Sequence, residues 1–259
     1  MAFELYQGER LDDLQVNGLH IIQSDEVFSF SLDAVLVARY VSLRNRDRVL
    51  DMGTGNGVIP LLLTARGKRP RGGEIVGMEI QQRLAEMAER NVRGNGLGDT
   101  IRIVNGDLRE AVSLFGHESF DVVTSNPPYR PAGIGDQSVN EHVRIAKFEV
   151  TCTLDDVVDA AAKLLKYQGK FAMVHRPDRM AEIIFAMKSR KLEPKRLQLV
   201  HPKPHLPPNI LLIEAVKGGR PELRIDPPLI VHNEDGSYTQ AIQDIYAGRG
   251  GWAKHEADL

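Results

Sequence analysis

Short apolar segments rich in β-branched residues alternate with helical patterns from Arg48 to about Ala215, and this alternation constrains the fold most strongly. Strand–helix–strand units of this kind imply an α/β fold, with a mostly parallel sheet and helices on both of its faces. Strands covered on both faces are continuously apolar, as these segments are. The predicted strands are 48–51, 74–79, 101–104, 120–123, 170–174 and 210–213, and the clearest helical patterns are 82–89 and 154–165.

The chain divides into one main domain with short additions. Residues 1–46 are predicted as an N-terminal decoration, in which the segment Phe28–Ala38 passes from a serine-rich cap into an apolar helix. Residues 47–217 carry the strand–helix pattern, and Gly218–Pro221 breaks it. Residues 218–259 are predicted as a tail packed on the same domain, since no repeat or low-complexity linker separates a second one.

Composition excludes several classes of protein. No apolar run approaches the ~20 residues of a membrane span, and the first residues lack the basic start and apolar core of a signal peptide. A single cysteine, Cys152, excludes an internal disulfide and a zinc cluster built on thiolates, and no metal site is predicted. These features predict a cytoplasmic protein that does not associate with membranes.

The formal net charge of −2 gives no global sign of nucleic-acid binding, so any such surface must be local. Two basic runs and a proline-rich connection at His201–His205 are candidates for phosphate contacts, and each could equally be solvated surface. The runs comprise Arg66, Lys68, Arg69 and Arg71 in the first, and Lys188, Arg190, Lys191, Lys195 and Arg196 in the second.

A glycine-rich loop, Asp51–Gly57 (DMGTGNG), directly follows the first predicted strand. Glycines allow a ligand to approach the backbone closely at a helix N-terminus. Glu79 ends the second predicted strand, where a carboxylate can accept both ribose hydroxyls, and Asp107 follows the third, where it can accept from an adenine amino group. Each acid could instead cap the following helix. Their common place at strand ends favours a ligand site.

The order of the acid and the glycines resembles the S-adenosylmethionine loop of class I methyltransferases and lacks the further glycine of the dinucleotide fingerprint. This resemblance implies a Rossmann-like fold with S-adenosylmethionine as cofactor. The cofactor-binding residues that it implies are Asp51, Gly53, Gly55, Glu79, Asp107, Leu108 and Asn126.

The segment Ser125–Tyr129 (SNPPY) ends the fourth predicted strand. A Pro-Pro pair could be merely a rigid end to the strand. The residues also suit methylation of a planar exocyclic amine, whose conjugated lone pair is a poor nucleophile. Asn126 and Pro127 can accept the two amine hydrogens through their oxygens, and Tyr129 can stack on a base. These three are the predicted catalytic residues.

Together the motifs resemble those of class I amino-methyltransferases, and most of the chain is similar to the bacterial tRNA(Val) adenine-N6 methyltransferases. The closer resemblance rests on Phe30–Leu36, Asn126–Tyr129, His201–Pro204 and Leu212–Gly219. It implies a seven-stranded sheet whose last strand is antiparallel, and an adenine beside the anticodon of a tRNA as substrate. It also puts Ser31 and Asp33 near the cofactor, although a helix cap explains both equally well.

Other functions use related motifs. Enzymes that methylate a glutamine of peptide-release factors carry a helical domain before the glycine loop, and only 50 residues precede Asp51 here. DNA adenine methyltransferases add a large recognition region, so DNA is not an expected substrate. Methylation of a guanine amine in ribosomal RNA stays open, though phenylalanine is more usual there at the position of Tyr129. A catalytically silent binding module is a further alternative, and cofactor binding would distinguish it.

Overall fold

The computed structural model describes residues 3–25, 31–65, 74–129 and 152–249. The start of the predicted helix entry, Phe28–Phe30, and the basic run Arg66–Arg71 lie outside the described residues. Within these ranges no helix has both the length and the apolar character that crossing a bilayer requires.

The secondary structure alternates as the sequence predicts. The strands are β1 (Glu9–Asp13), β2 (His20–Ser24), β3 (Val49–Met52), β4 (Ile75–Glu79), β5 (Ile101–Asn105), β6 (Phe120–Ser125), β7 (Leu165–His175), β8 (Leu192–His201), β9 (Ile210–Lys217), β10 (Arg224–Ile225) and β11 (Leu229–Ile230). The helices are α1 (Leu32–Tyr40), α2 (Val58–Thr64), α3 (Gln82–Gly94), α4 (Ala111–Phe115), α5 (Leu154–Leu164), α6 (Met180–Ser189) and α7 (Gln240–Tyr246), with single 3₁₀ turns at Leu108–Glu110 and Pro177–Arg179.

The central sheet has the strand order β10-β8-β9-β7-β6-β3-β4-β5, and β11 also pairs with β8. Strands β3 to β7 run parallel, whereas β9 is antiparallel to both β7 and β8. The predicted antiparallel last strand of the main unit is therefore confirmed. The sheet of the described residues has nine strands rather than the seven implied, because β10 and β11 of the tail pair with the outer edge of β8. This pairing provides hydrogen-bond partners for backbone N–H and C=O groups along the outer edge of β8, which would otherwise be unpaired.

The core lies on both faces of this sheet, which confirms the predicted α/β layering. Successive residues of β3 point to opposite faces, so Val49 packs in the cluster that includes α1 and α2, and Leu50 packs in the cluster that includes α5 and α6. All four residues of β3 are buried. Helix α5 starts with a capping box in which the Thr153 and Asp156 side chains bond each other's backbone N–H groups, which fixes the start of the helix.

The N-terminal strands β1 and β2 form an antiparallel hairpin that packs on α3. The Asn91 side-chain oxygen of α3 accepts the backbone N–H of Ile22 at 2.7 Å, and the Asn95 oxygen accepts that of His20 at 3.0 Å. A buried ion pair between Glu9 and Arg90 joins the same two elements. The hairpin is thus tied to the helix that starts three residues after Glu79.

Candidate functional site

A pocket of about 370 Å³ opens at the edge of the sheet where the parallel strands β3, β4 and β6 end. We call this edge the carboxyl edge. Chain segments that are far apart in sequence meet there because parallel strands point their carboxyl ends the same way. The pocket is lined by ten of the eleven site residues predicted from the sequence: Ser31, Asp33, Gly53, Gly55, Glu79, Asp107, Leu108, Asn126, Pro127 and Tyr129.

The glycine loop forms the backbone wall of the pocket. Gly53 and Gly55 have φ angles of 71° and 57°, in the left-handed region that glycine adopts most easily. The backbone N–H groups of Gly53 and Thr54 both donate to the Met78 carbonyl at 2.9 Å, which ties the loop to β4. A Cβ atom added at Gly53 or Gly55 would meet no protein atom within 4 Å. The loop therefore leaves open space against its backbone, as a bound ligand requires.

Asp51 is the one predicted site residue that does not line the pocket. Its side chain is fully buried beneath the loop, where its Oδ1 accepts the Thr124 hydroxyl at 2.7 Å. Burial raises the pKa of Asp51 to about 7, and the neighbouring Glu79 carboxylate adds to the rise. A direct contact between Asp51 and the cofactor stays a prediction, and the contacts of the described residues give Asp51 a supporting place. Asp51 supports the loop from below, because its strand position points the side chain inward.

Glu79 lies at the end of β4 with both carboxylate oxygens facing the pocket wall. Its Oε2 accepts the N–H of Gly55 and its Oε1 accepts the N–H of Gln81, each at 2.9 Å. Burial raises its pKa, and these backbone hydrogen bonds partly offset the rise. Gly55, Gln81 and Ile80 supply backbone hydrogen bonds to the carboxylate, which keeps lone-pair capacity for a ligand hydroxyl. The carboxylate is therefore held in one orientation at the pocket.

Asp107 lines the pocket and also caps the 3₁₀ turn that starts at Leu108. Its Oδ1 accepts the backbone N–H of Arg109 at 2.9 Å, and its carboxylate pairs with the Arg109 guanidinium. That side-chain hydrogen bond lowers the pKa of Asp107. The helix cap and the ligand contact considered from sequence are thus compatible, since the capped carboxylate also faces the pocket.

The Asn126–Tyr129 segment leaves the end of β6 and forms another wall. The Ser125 hydroxyl donates to the Met52 carbonyl at 3.0 Å, which locks β6 to β3 just before the segment. Pro127 is buried, and no described residue donates a hydrogen bond to its carbonyl oxygen. Burial raises the pKa of Tyr129 well above its ordinary value, so its hydroxyl stays protonated.

Asp33 reaches the same wall from the first turn of α1. Its Oδ2 lies 2.7 Å from the Tyr129 hydroxyl, whose oxygen lies 2.6 Å from Asn126 Oδ1. Burial raises the pKa of Asp33, and the hydroxyls of Tyr129 and Ser31 and the charge of Arg176 partly offset the rise. Ser31 is the N-cap residue of α1, although its side chain does not make the capping hydrogen bond.

Arg176 is a pocket residue that the sequence reasoning missed. It directly follows β7, and its side chain is 45% exposed and lies 3.6 Å from the Asp178 carboxylate. Its neighbour His175 packs against the Tyr129 ring at a centroid distance of 5.1 Å, and burial lowers the pKa of His175 to about 4. The signal for Arg176 was its place just beyond a buried strand end.

The second basic run, Lys188–Arg196, does not flank the pocket. It spans the end of α6 and the start of β8, and β8 points the same way as β7, so the run lies at the opposite edge of the sheet. Lys188 pairs with Glu193, and Arg196 is largely buried beside Glu214 and Asp226. The direction of β8 therefore places this candidate for phosphate contacts away from the catalytic residues.

The pocket fits S-adenosylmethionine. Glu79 presents fixed acceptors for the ribose hydroxyls, the glycine loop leaves backbone space, and Met78, Ile80 and Leu108 give an apolar surface for the adenine ring. The volume lies within the range of about 300–1,000 Å³ that small-molecule and cofactor sites occupy. No group of three or more His, Cys, Asp or Glu side chains able to hold a metal ion occurs in the described part of the chain.

Comparison with known proteins assigns the family. The family model for the methyltransferase small domain matches residues 19–193, which include the glycine loop, Glu79, Asp107 and the Asn126–Tyr129 segment. A crystal structure of a predicted O-methyltransferase from Agrobacterium tumefaciens has a TM-score of 0.68 and 26% sequence identity, and the match covers 86% of this chain and 99% of that one.

Two curated relatives are each named tRNA1(Val) (adenine(37)-N6)-methyltransferase. The protein from Porphyromonas gingivalis is 32% identical over 64% of this chain and 64% of its own length, so the matched region is just under two thirds of that relative. The protein from Bacteroides thetaiotaomicron is 30% identical over 70% of this chain and 73% of its own length.

Proposed function

The chain belongs to the methyltransferase small domain family, and we propose that it methylates the exocyclic N6 amine of an adenine in the anticodon loop of a tRNA. It is an S-adenosylmethionine-dependent N-methyltransferase. The observation that carries the proposal is the Asn126–Tyr129 segment, which lies in one pocket with Glu79 and the glycine loop. The curated relatives support the tRNA adenine as acceptor through the activity that their names state.

The side-chain oxygen of Asn126 and the carbonyl oxygen of Pro127 are the protein groups that act on the reacting amine. S-adenosylmethionine, when bound, supplies the electrophilic methyl group. The Asn126 side-chain oxygen accepts a hydrogen bond from one amine N–H, and the Pro127 carbonyl accepts one from the other. Both bonds draw the nitrogen toward tetrahedral geometry and so release its lone pair from conjugation. One proton leaves the nitrogen after the methyl group has been transferred. The fixed φ of Pro127 keeps its carbonyl direction constant, and such alignment can contribute as much as ~7–11 kcal/mol.

The Tyr129 ring is suited to stacking on a base that is no longer stacked on its neighbours in the RNA. The ring is packed from one side by His175 and is only partly exposed, so it is held rigidly beside the pocket. Base stacking on such a ring contributes roughly 1–3 kcal/mol. Extruding a base costs a few kcal/mol in a duplex and less where the base is already unpaired. An anticodon-loop adenine is therefore an easier acceptor than an adenine in a helix.

Cofactor affinity is expected to depend on Glu79. Glu79→Ala removes the acceptor for the ribose hydroxyls and the anchor of the Gly55 N–H, so S-adenosylmethionine binding is expected to weaken by about 1.5–3 kcal/mol, the scale of hydrogen bonds to a charged group. Isothermal calorimetry measures this directly. Glu193→Ala, which removes a glutamate at the opposite edge, is the matched control. Equal affinities for the two variants would exclude Glu79 from the cofactor site.

Arg176 is expected to contact a phosphate of the RNA. It borders the pocket and is partly exposed, and its one close ion-pair partner among the described acids is Asp178 at 3.6 Å. Arg176→Ala should weaken tRNA binding and reduce the slope of log K against log salt by about one. Lys188→Ala, which removes a cation at the far edge, should leave that slope unchanged. Fluorescence anisotropy over a salt series gives both slopes, and equal slopes would remove Arg176 from the RNA interface.

The acceptor class is tested by offering labelled methyl donor with total RNA, DNA and a peptide-release factor in separate reactions. Digestion of labelled RNA to nucleosides should yield N6-methyladenosine. Label on a protein glutamine with every RNA unlabelled would overturn the adenine proposal and leave the N-methyltransferase assignment intact. Label on guanosine of ribosomal RNA would identify the other nucleic-acid alternative.

A further inference from the structure

The Tyr129 hydroxyl lies between two acceptor oxygens that it cannot serve together. It is 2.7 Å from Asp33 Oδ2 and 2.6 Å from Asn126 Oδ1. A phenol hydroxyl has one proton and can donate one hydrogen bond. An ionised carboxylate and an amide oxygen can both accept hydrogen bonds, and neither can donate one. If Asp33 is ionised, one of these two short O···O contacts has no hydrogen between the oxygens, and their lone pairs repel each other. The arrangement therefore requires either a proton on Asp33 or a turn of the Asn126 amide.

Each resolution gives Asn126 a different orientation. If Asp33 is protonated, it donates to the Tyr129 oxygen, and Tyr129 donates to Asn126 Oδ1. The amide oxygen then faces Tyr129 and uses one of its two lone pairs for that hydrogen bond. If Asp33 is ionised, it accepts the hydrogen bond from the Tyr129 hydroxyl, because a hydrogen bond to a charged acceptor is the stronger one. The one proton of Tyr129 is then directed to Asp33, so the Tyr129 oxygen can only accept a hydrogen bond from Asn126. The Asn126 amide therefore turns its NH₂ group toward Tyr129 and its oxygen away.

We propose that Asp33 is a positioning residue that sets the orientation of the Asn126 amide through the Tyr129 hydroxyl. Ionised Asp33 turns the amide oxygen away from Tyr129, so that both of its lone pairs are available to the reacting amine, and protonated Asp33 holds that oxygen toward Tyr129 through a hydrogen bond. This inference rests on the proposed role of Asn126 as an amine acceptor. It gives Asp33 a function in turnover that differs from the cofactor contact suggested by sequence.

The surroundings of Asp33 suit a carboxyl that titrates. The groups that act on it are the Tyr129 and Ser31 hydroxyls and the Arg176 guanidinium at the end of β7. Asp178 lies beside Arg176, and the neutral His175 lies against the Tyr129 ring. Burial outweighs the favourable groups, so the pKa of Asp33 lies above the ordinary value for an aspartate. Turnover should therefore rise with pH as Asp33 loses its proton.

The test is the pH dependence of kcat at saturating cofactor in the wild type and in Asp33→Asn, Tyr129→Phe and the double variant. The wild type should show an acidic limb. Asp33→Asn should lose that limb and have a kcat about tenfold lower on the plateau, the fold-change of one lost charge-assisted hydrogen bond. Tyr129→Phe should also lose the limb, because the connection between Asp33 and Asn126 is cut. Asp178→Asn, which removes a nearby exposed carboxyl, should keep it.

The double variant distinguishes positioning from a structural role. If Asp33 acts through Tyr129, Asp33→Asn should change kcat by less than about twofold in the Tyr129→Phe background, since the two residues would act as one unit. An undiminished tenfold effect in that background would overturn the inference, and so would an acidic limb retained in Asp33→Asn. Calorimetry on each variant separates any change in cofactor affinity from the change in kcat.

The assay uses whichever acceptor the wild type labels, so the inference is tested even if that acceptor is not tRNA. A glutamine amide presents the same two hydrogens to Asn126 as an adenine amine. Failure of tRNA as acceptor would overturn the proposed substrate alone. Unchanged pH profiles on a working acceptor would overturn the role of Asp33 alone.

Discussion

Asn126→Ala is expected to lower kcat by about 100- to 1,000-fold while leaving the affinity for S-adenosylmethionine within a few fold. The Asn126 oxygen matters most as the amine becomes tetrahedral, so its loss raises the free energy of the transition state more than that of the bound substrate. Single-turnover rates at saturating cofactor and acceptor measure the chemical step, and calorimetry measures the affinity.

Asn233→Ala is the matched control, because it removes an asparagine side chain of the tail, which bonds Ser237 outside the pocket. It should keep both quantities near the wild-type values. Near-normal turnover in Asn126→Ala, together with a collapse of cofactor affinity, would mean that Asn126 serves the cofactor rather than the amine.

Arg90→Met is expected to lower the free energy of unfolding by about 3–5 kcal/mol, the cost of leaving a buried charge without its partner. The Arg90 and Glu9 side chains are only 3% and 2% exposed, and two nitrogens of Arg90 bond the two oxygens of Glu9 at 2.6 and 2.7 Å. The Arg90 guanidinium also donates to the Glu4 carbonyl at 2.7 Å and lies 3.9 Å from the centre of the Tyr6 ring. Loss of the Arg90 guanidinium leaves the Glu9 carboxylate buried without its ion-pair partner and weakens the attachment of the hairpin to α3.

Urea unfolding at neutral pH measures this change. Lys163→Met is the matched control, because it breaks an exposed pair with Asp159 on α5 and should cost no more than about 0.5 kcal/mol. Adding Glu9→Leu to Arg90→Met should recover much of the stability, since the uncompensated charge is then removed. Equal costs for Arg90→Met and Lys163→Met would show that the buried pair does not anchor the hairpin.

The pH dependence of this ion pair has a defined sign. The hydrogen bond from Arg90 lowers the pKa of Glu9 below its ordinary value. A lowered pKa means that the folded state holds the proton less tightly than the unfolded chain. The contribution of the pair is therefore complete above the ordinary pKa of a glutamate and is lost as the pH falls through the folded value.

The fold and most of the pocket follow from one regularity that the sequence shows directly. Buried parallel strands appear as short apolar runs, and polar residues just beyond them must meet at one edge. Glu79 and Asn126 were found in this way, and the structure brings both to the pocket. Strand β8 was not found, because charged residues and Pro194 interrupt its apolar pattern. Partly exposed positions interrupt the buried ones along β8, so that pattern does not need to be continuous.

Other features depend on three-dimensional relations that no local pattern encodes. The position of the basic run Lys188–Arg196 depends on the direction of β8, and that direction follows from pairing with β9. The inward orientation of Asp51 depends on Thr124 of the neighbouring strand. The contact between Asp33 and Tyr129 joins residues 96 positions apart. Sequence reasoning could place Asp33, Asp51 and Tyr129 near the site, but it could not say which atoms meet or at which edge the basic run lies.

The central claim is tested most directly with two versions of one tRNA, one with adenine and one with guanine immediately after the anticodon. Each is incubated with the purified enzyme and S-adenosylmethionine, then digested and analysed by mass spectrometry. The adenine version should gain one N6-methyladenosine per molecule, and the guanine version should gain none. Asn126→Ala should methylate the adenine version about 100- to 1,000-fold more slowly. Equal methylation of the two versions, or none in either beside a methylated release-factor glutamine, would contradict the account.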